Sequence, residues 1–259
     1  MTGSLLQTAP ERVEGVTWDQ FLVALRRGSA TPKIRAWQPG DHAALVGPTG
    51  EGKTTFAVGI LRLRKWVLAL DPKGEDTTLG KSGFVRITGL PPPGRIQQDV
   101  AEDKPARLIV GGSARTADED AALEHLMSEA LDYARRSGGW TLYVDEFQLL
   151  GDQRMFRLGS RVERMLITAR KEGTSVVTSF QAMAWVPKAA VRQATAFVVL
   201  FATRDRDMIK ATAQGMGRDW RQVVYIVDRM ARDDRAEFTS LVIPRSVRDP
   251  MLIVRAAKV

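Results

Sequence analysis

The eight residues Gly47-Pro48-Thr49-Gly50-Glu51-Gly52-Lys53-Thr54 constrain this chain more than any others. They follow the apolar run HAALV (42–46) and precede a stretch in which Phe56, Ile60 and Leu63 recur at helical spacing. A buried strand, a glycine-rich turn and a helix in that order form a phosphate-binding P-loop. The glycines let backbone N–H groups close around phosphate oxygens at a helix N-terminus. Lys53 neutralises the β- and γ-oxygens, the Thr54 hydroxyl is offered to Mg²⁺, and Thr55 completes the nucleotide-binding set with Gly47–Thr54. The expected ligands are ATP and Mg²⁺.

The remaining pattern fits the α/β sheet that such a loop needs. WVLALD (66–71), TLYVDE (141–146), SVVTSF (175–180) and AFVVLFA (196–202) are continuous apolar runs separated by helical stretches. Strands of that kind are buried on both faces, which implies a mainly parallel sheet with helices on both sides. Residues 1–40 read as a cap and link, with a short helix opened by the capping-box spacing of Thr17 and Gln20 and stopped at Gly28. Residues 41–259 read as the main domain, with its core over 41–202 and C-terminal helices and a strand pair over 203–259. FVRI (84–87) and RLIV (107–110) suggest an inserted strand pair or an edge addition. A helix opens at Thr116 with Glu119 in capping-box position and ends at Gly138-Gly139. A second long helix is expected over about 153–171.

Absences narrow the chemistry. The 259 residues contain no cysteine, no asparagine and only His42 and His125, so thiolate zinc sites, redox pairs and histidine metal motifs are excluded. Both histidines, and the tryptophans Trp18, Trp66 and Trp140, read as packing residues. No uncharged apolar run reaches a membrane-spanning length and the N-terminus lacks a signal-peptide pattern, so a soluble cytoplasmic chain is expected.

A P-loop needs a carboxylate at the end of a neighbouring strand. Asp145 meets that need as the Mg²⁺-ordering residue, and Glu146 follows as general base for an attacking water. The pair favours a hydrolase over a small-molecule kinase. Gln181, just past SVVTSF, would sense the γ-phosphate if its strand lies between the Lys53 and Asp145 strands.

Together with Asp71-Pro72-Lys73-Gly74-Glu75 and Arg170 in TARKEG, these motifs resemble the HerA/FtsK superfamily of DNA-pumping ATPases over about residues 41–202. The P-loop is generic; the DPKG segment and the strand-terminal glutamine carry the resemblance. It implies a RecA-like (ASCE) core with strand order 5-1-4-3-2. It also implies a homo-oligomeric ring, usually a hexamer with a pentamer as alternative, and an arginine supplied in trans, for which Arg170 is the positional match. A helix-terminal cation complementing the dipole is the other reading of Arg170. Within the superfamily the chain looks most like viral and phage genome-packaging ATPases, which implies double-stranded DNA, a portal, capsid or membrane-vertex protein as partners, and association with a viral particle. A soluble mobile-element transfer ATPase is the alternative, and a P-loop assembly or switch ATPase acting on protein is a reading from a different class.

Charge agrees with a polyanionic partner. Lys+Arg 38 exceeds Asp+Glu 30, and the excess is uneven: residues 1–150 carry −1 and residues 151–259 carry +9. Arg154, Arg157, Arg161 and Arg164 recur at helical spacing on one face, as a DNA-backbone track, an intersubunit surface or a solvated arginine face.

Overall fold

The computed structural model describes residues 11–31, 33–74, 76–92, 102, 104–112, 116–151, 156–181, 191–232 and 238–256. Strand β4 (Ala43–Val46) runs into the P-loop and helix α2 (Lys53–Leu61). Strand β5 (Trp66–Asp71) follows, then the short helix α3 (Thr77–Lys81) and the edge strands β6 (Val85–Ile87) and β7 (Ala106–Gly111). Helix α4 (Ala117–Ser137) leads to β8 (Thr141–Val144), and helices α5 (Phe147–Gly151) and α6 (Gly159–Thr168) lead to β9 (Ser175–Phe180). Strand β10 (Phe197–Phe201), helices α7 (Arg206–Gly215) and α8 (Trp220–Met230) and strands β11 (Phe238–Pro244) and β12 (Met251–Ala256) close the domain.

The central strands are parallel and lie in the order β10-β4-β9-β8-β5. Numbered as core strands, this is the expected 5-1-4-3-2. The segment 84–111 is an edge addition, with β6 parallel to β7 and β7 parallel to β5. At the other side β11 and β12 continue the sheet as an antiparallel pair.

Two apolar layers cover the two faces. One contains Met127, Leu131, Val162, Met165, Ile209, Val223 and Val227 from α4, α6, α7 and α8. The other contains Phe21 and Leu25 of helix α1 (Trp18–Arg27) with Phe56, Ile60 and Leu61 of α2. The Thr17–Gln20 capping box of α1 forms as expected, and so does the Thr116–Glu119 box of α4.

The N-terminal segment is more than a helical cap. Strand β1 (Val13–Thr17) pairs in parallel with β12 and extends the sheet. A small antiparallel hairpin, β2 (Ser29–Ala30) with β3 (Lys33–Ile34), follows α1. Helix α1 lies on α2 because Gly59 leaves room for the Trp18 ring: a Cβ there would come within 2.1 Å of it. Trp18 also meets Phe56 edge-on at 4.8 Å between ring centroids.

One expected helix is different. In place of a helix over 153–171, α5 ends at Gly151, α6 begins at Gly159, and a 3₁₀ turn covers Ala169–Glu172. The periodicity of Leu158, Val162, Met165, Leu166 and Ala169 is real, but the chain turns ahead of it. Leu158 N donates to Leu150 O at 2.9 Å, and a Cβ on Gly159 would stand 2.9 Å from Gly151 Cα. The two glycines permit that close return.

The basic residue Arg218 is buried rather than available to a ligand. Its guanidinium donates to Glu11 Oε2 at 2.8 Å and to the carbonyls of Val247, Ser246 and Asp249 at 3.0, 2.9 and 2.8 Å. His42 is likewise internal. Its Nδ1 accepts from Val176 N at 3.0 Å, and burial holds its pKa down at about 4. Among the described residues no helix is long and apolar enough to cross a membrane.

Candidate active site

The aligned ends of four parallel strands build the site. Val46 of β4 is in register with Phe180 of β9, and Val144 of β8 with Thr178 of β9 and Leu70 of β5. The residues that follow these strands therefore emerge at one edge of the sheet: the loop from Gly47, Gln181, Asp145-Glu146, and the turn from Asp71. Two backbone bonds tie the exits together, Gly47 N to Phe180 O and Asp145 N to Leu70 O, both at 3.1 Å.

The loop has the backbone its sequence requires. Gly50 and Gly52 have φ of +85° and +84°, conformations that strain any residue with a Cβ. Lys53 is buried and its ammonium donates to Pro48 O at 2.5 Å, spanning the inside of the loop. Burial lowers its pKa, while Asp145 and Glu146 act in the opposite sense. Pro48 and Thr54 are half-buried, and Thr49, Glu51 and Thr55 are exposed at the loop surface.

The two adjacent carboxylates separate as the chain leaves β8. Asp145 accepts from the Tyr143 hydroxyl at 2.8 Å, and Tyr143 also hydrogen-bonds to Thr54. This buried phenol links the loop hydroxyl to the strand-end carboxylate. Its own pKa is raised well above the ordinary value, chiefly by burial, so it remains a neutral donor. Glu146 turns the other way. It has a φ of +48°, a left-handed conformation that is uncommon for a side chain of this kind and costs about 1–3 kcal/mol. Its carboxylate meets Lys73 Nζ at 2.8 Å through Oε1 and at 2.6 Å through Oε2. The Gln181 amide also donates to Oε1.

The Asp71 turn is organised from within. Its buried carboxylate accepts from Gly74 N at 2.9 Å and from Asp76 N at 3.3 Å, and pairs with Arg86 at 3.0 Å. That arrangement fixes the turn from which Lys73 reaches Glu146.

Crowding of like charge is visible at Asp145. Burial above all pushes its pKa up to about 6; the Tyr143 hydrogen bond opposes it, and the neighbouring Asp76, Glu146 and Asp71 add smaller upward effects. Among the described residues no group of three or more acidic or histidine side chains forms a metal cage. Thr54 and Asp145 are instead two hard oxygen donors beside excess negative charge. This suits Mg²⁺, which takes one or two protein oxygens and completes its shell with water and phosphate.

The raised pKa has a measurable consequence. Between about pH 4 and 6 the folded chain holds a proton at Asp145 that the unfolded chain has lost, so this group's contribution falls as pH rises through that window. Above pH 6 the charged carboxylate destabilises the nucleotide-free protein by at most about 3 kcal/mol. Asp145→Asn is therefore expected to stabilise that form by about 1–3 kcal/mol at pH 8, with the gain shrinking toward pH 4. Denaturant midpoints at the two pH values measure this, and an equal effect at both would contradict the assignment.

No protein-family model and no curated protein sequence matches the chain. Solved structures do. The genome packaging NTPase B204 from Sulfolobus turreted icosahedral virus 2, in complex with AMPPCP, is similar with a TM-score of 0.55 at 14% identity, covering 85% of this chain and 100% of its own. The bacterial conjugative coupling protein TrwBdeltaN70 gives 0.59 at 12% identity, with 96% and 93% covered. VirB4 of Thermoanaerobacter pseudethanolicus gives 0.57 at 13%, with 84% and 89% covered. The fold is a RecA-like P-loop NTPase core. The likeness to these structures is one of fold, a mainly parallel sheet flanked by helices.

Within the RecA-like core, Lys53, Thr54, Asp145, Glu146 and Gln181 converge at one edge. Arg170 does not join them in its own chain. It is exposed on the 3₁₀ turn, its backbone packs against Gly40, and its charge acts on His42, all at the opposite ends of the strands. That is a full strand length away, roughly 15–20 Å.

The arginine row is only partly a helix face. Arg154 lies outside the described residues, and Arg157 is exposed in the turn before α6. Arg161 and Arg164 are on α6, and Arg161 pairs with Asp132 of α4 at 3.4 Å. That carboxylate supplies part of the counter-charge the row calls for.

Sequence reasoning missed Lys73 and Tyr143. The DPKG segment was a mark of resemblance without a role, and Tyr143 looked like one more apolar strand residue. The alternation in TLYVD, which puts Tyr143 and Asp145 on the same side of the strand, was the available signal.

Proposed function

We propose that this chain is an ATP-hydrolysing ring motor that translocates double-stranded DNA, with viral or phage genome packaging as its setting. The observation that carries the reading is the convergence of Lys53, Thr54, Asp145, Glu146 and Gln181 at one sheet edge, with the Gln181 strand lying between the P-loop strand and the Asp145 strand.

In this reading Gly47–Thr55 holds the triphosphate, with backbone N–H groups and Lys53 on its oxygens. Thr54 and Asp145 hold Mg²⁺, which when bound neutralises charge on the phosphates. Tyr143 orients Asp145 by its hydrogen bond. Glu146 takes the proton of the attacking water, and Gln181 positions that water against the terminal phosphate. Arg170 acts in trans, as a cation delivered by a neighbouring subunit of a hexameric or pentameric ring. Its remoteness from its own loop is compatible with that role.

Arg157, Arg161 and Arg164 contribute to backbone contacts with DNA, which carry little sequence information and weaken with salt. A portal, capsid or membrane-vertex protein would dock the ring, in the cytoplasm or on a particle.

Long duplex DNA is expected to stimulate ATP turnover, with the stimulation lost at high salt and all turnover lost in Lys53→Ala. In the same assay, mixing Arg170→Ala with Lys53→Ala subunits should restore activity if the arginine acts across the interface. Turnover indifferent to DNA in every oligomeric state would favour an assembly or switch ATPase acting on protein. A second DNA-directed reading, a soluble mobile-element transfer ATPase, is favoured by the likeness to the conjugative coupling protein, which covers 96% of this chain.

A further inference from the structure

The ion pair between Lys73 and Glu146 has no part in the steps above. Both carboxylate oxygens of Glu146 lie within 2.8 Å of Lys73 Nζ, and Gln181 donates to one of them. A general base must present a free lone pair to its water. Here the carboxylate is turned toward one cation and an amide instead, on a backbone held at φ +48°. The Glu146 side chain is 13% exposed and that of Lys73 is 47% exposed. The lysine is therefore the mobile member of the pair. It is a compact charge on a flexible four-carbon stem, carried by a turn that Asp71 holds rigid.

A terminal phosphate carries more charge than one carboxylate and competes for the same ammonium. We propose that Lys73 is a positioning residue that, with Gln181, holds Glu146 in a resting position. Lys73 then leaves for the terminal phosphate of a bound nucleoside triphosphate, which frees the carboxylate for water only when the site is loaded. This rests on the ATPase reading above and adds to it a partner that holds the base until a triphosphate binds.

The test is a thermodynamic cycle in the full chain, comparing wild type, Lys73→Met, Glu146→Gln and the double variant. Dissociation constants are measured for a non-hydrolysable triphosphate analogue and for ADP. If breaking the pair is part of triphosphate binding, Glu146→Gln tightens the analogue about 3–10-fold more when Lys73 is present than when it is methionine. ADP shows no such coupling, and Lys73→Arg keeps most of it. Coupling below about twofold, or equal coupling for ADP, overturns the proposal while leaving the ATPase reading intact. Failure of wild type to bind either nucleotide overturns both. Thermal melts of the four proteins, with Lys73→Gln as a second variant, separate these outcomes from misfolding.

Discussion

Glu146→Gln is expected to lower ATP turnover by about 10²–10⁴-fold without loosening nucleotide binding. The substitution keeps the size of the side chain and an acceptor oxygen toward Gln181, and removes the charge that pairs with Lys73 together with the ability to take a proton. The hydrogen bonds that hold the loop do not run through it: Lys53 donates to Pro48 O, and Gly47 N to Phe180 O. The backbone strain at φ +48° falls on either residue alike. Single-turnover hydrolysis, measured beside equilibrium binding, separates the two quantities. Turnover within tenfold of wild type would remove Glu146 from the role of base.

A comparably large effect, on stability instead of turnover, is expected at Arg218. Its side chain is 1% exposed and joins three parts of the chain. These are Glu11 ahead of β1, the turn between α7 and α8 where Arg218 itself sits, and the loop between β11 and β12 through the carbonyls of Ser246, Val247 and Asp249. Replacing it by methionine fills much of the space but leaves Glu11 and those carbonyls without their donor. Removing one partner of a buried pair costs about 3–5 kcal/mol. Arg218→Met should lower the unfolding free energy by that amount in denaturant titrations and loosen amide protection in β11 and β12. Arg218→Lys should recover only part, because an ammonium cannot reproduce the planar fork. A loss below about 1 kcal/mol for Arg218→Met would show that the clasp is not a stabilising one.

The two residues also show where sequence reading stops. Glu146 was legible because adjacency to Asp145 at the end of an apolar strand is a local pattern. Arg218 sits in no local motif, and its partners lie 28 to 207 positions away. A basic residue's burial depends on what the rest of the chain brings to it. The helix expected over 153–171 failed for a related reason. Its apolar spacing is correct from Leu158 onward, but Gly151 and Gly159 meet only because α5 folds back on α6. Strand β1 was hidden too. VEGVT carries a single buried residue, Val16, and an edge strand of that kind lacks the continuous apolar run that marks the central ones.

Taken alone, the sequence determined the P-loop, the central strands, the capping boxes of α1 and α4, and the carboxylate pair after β8. Each is written in residues close together along the chain, where steric and hydrogen-bonding rules act locally. Only the tertiary structure decided that β9 lies between β4 and β8, that Tyr143 joins Thr54 to Asp145, and that Lys73 holds Glu146. It also decided that Arg170 stands at the far ends of the strands from its own loop. Those facts depend on strand order and register, which follow from burying both faces of the whole sheet at once.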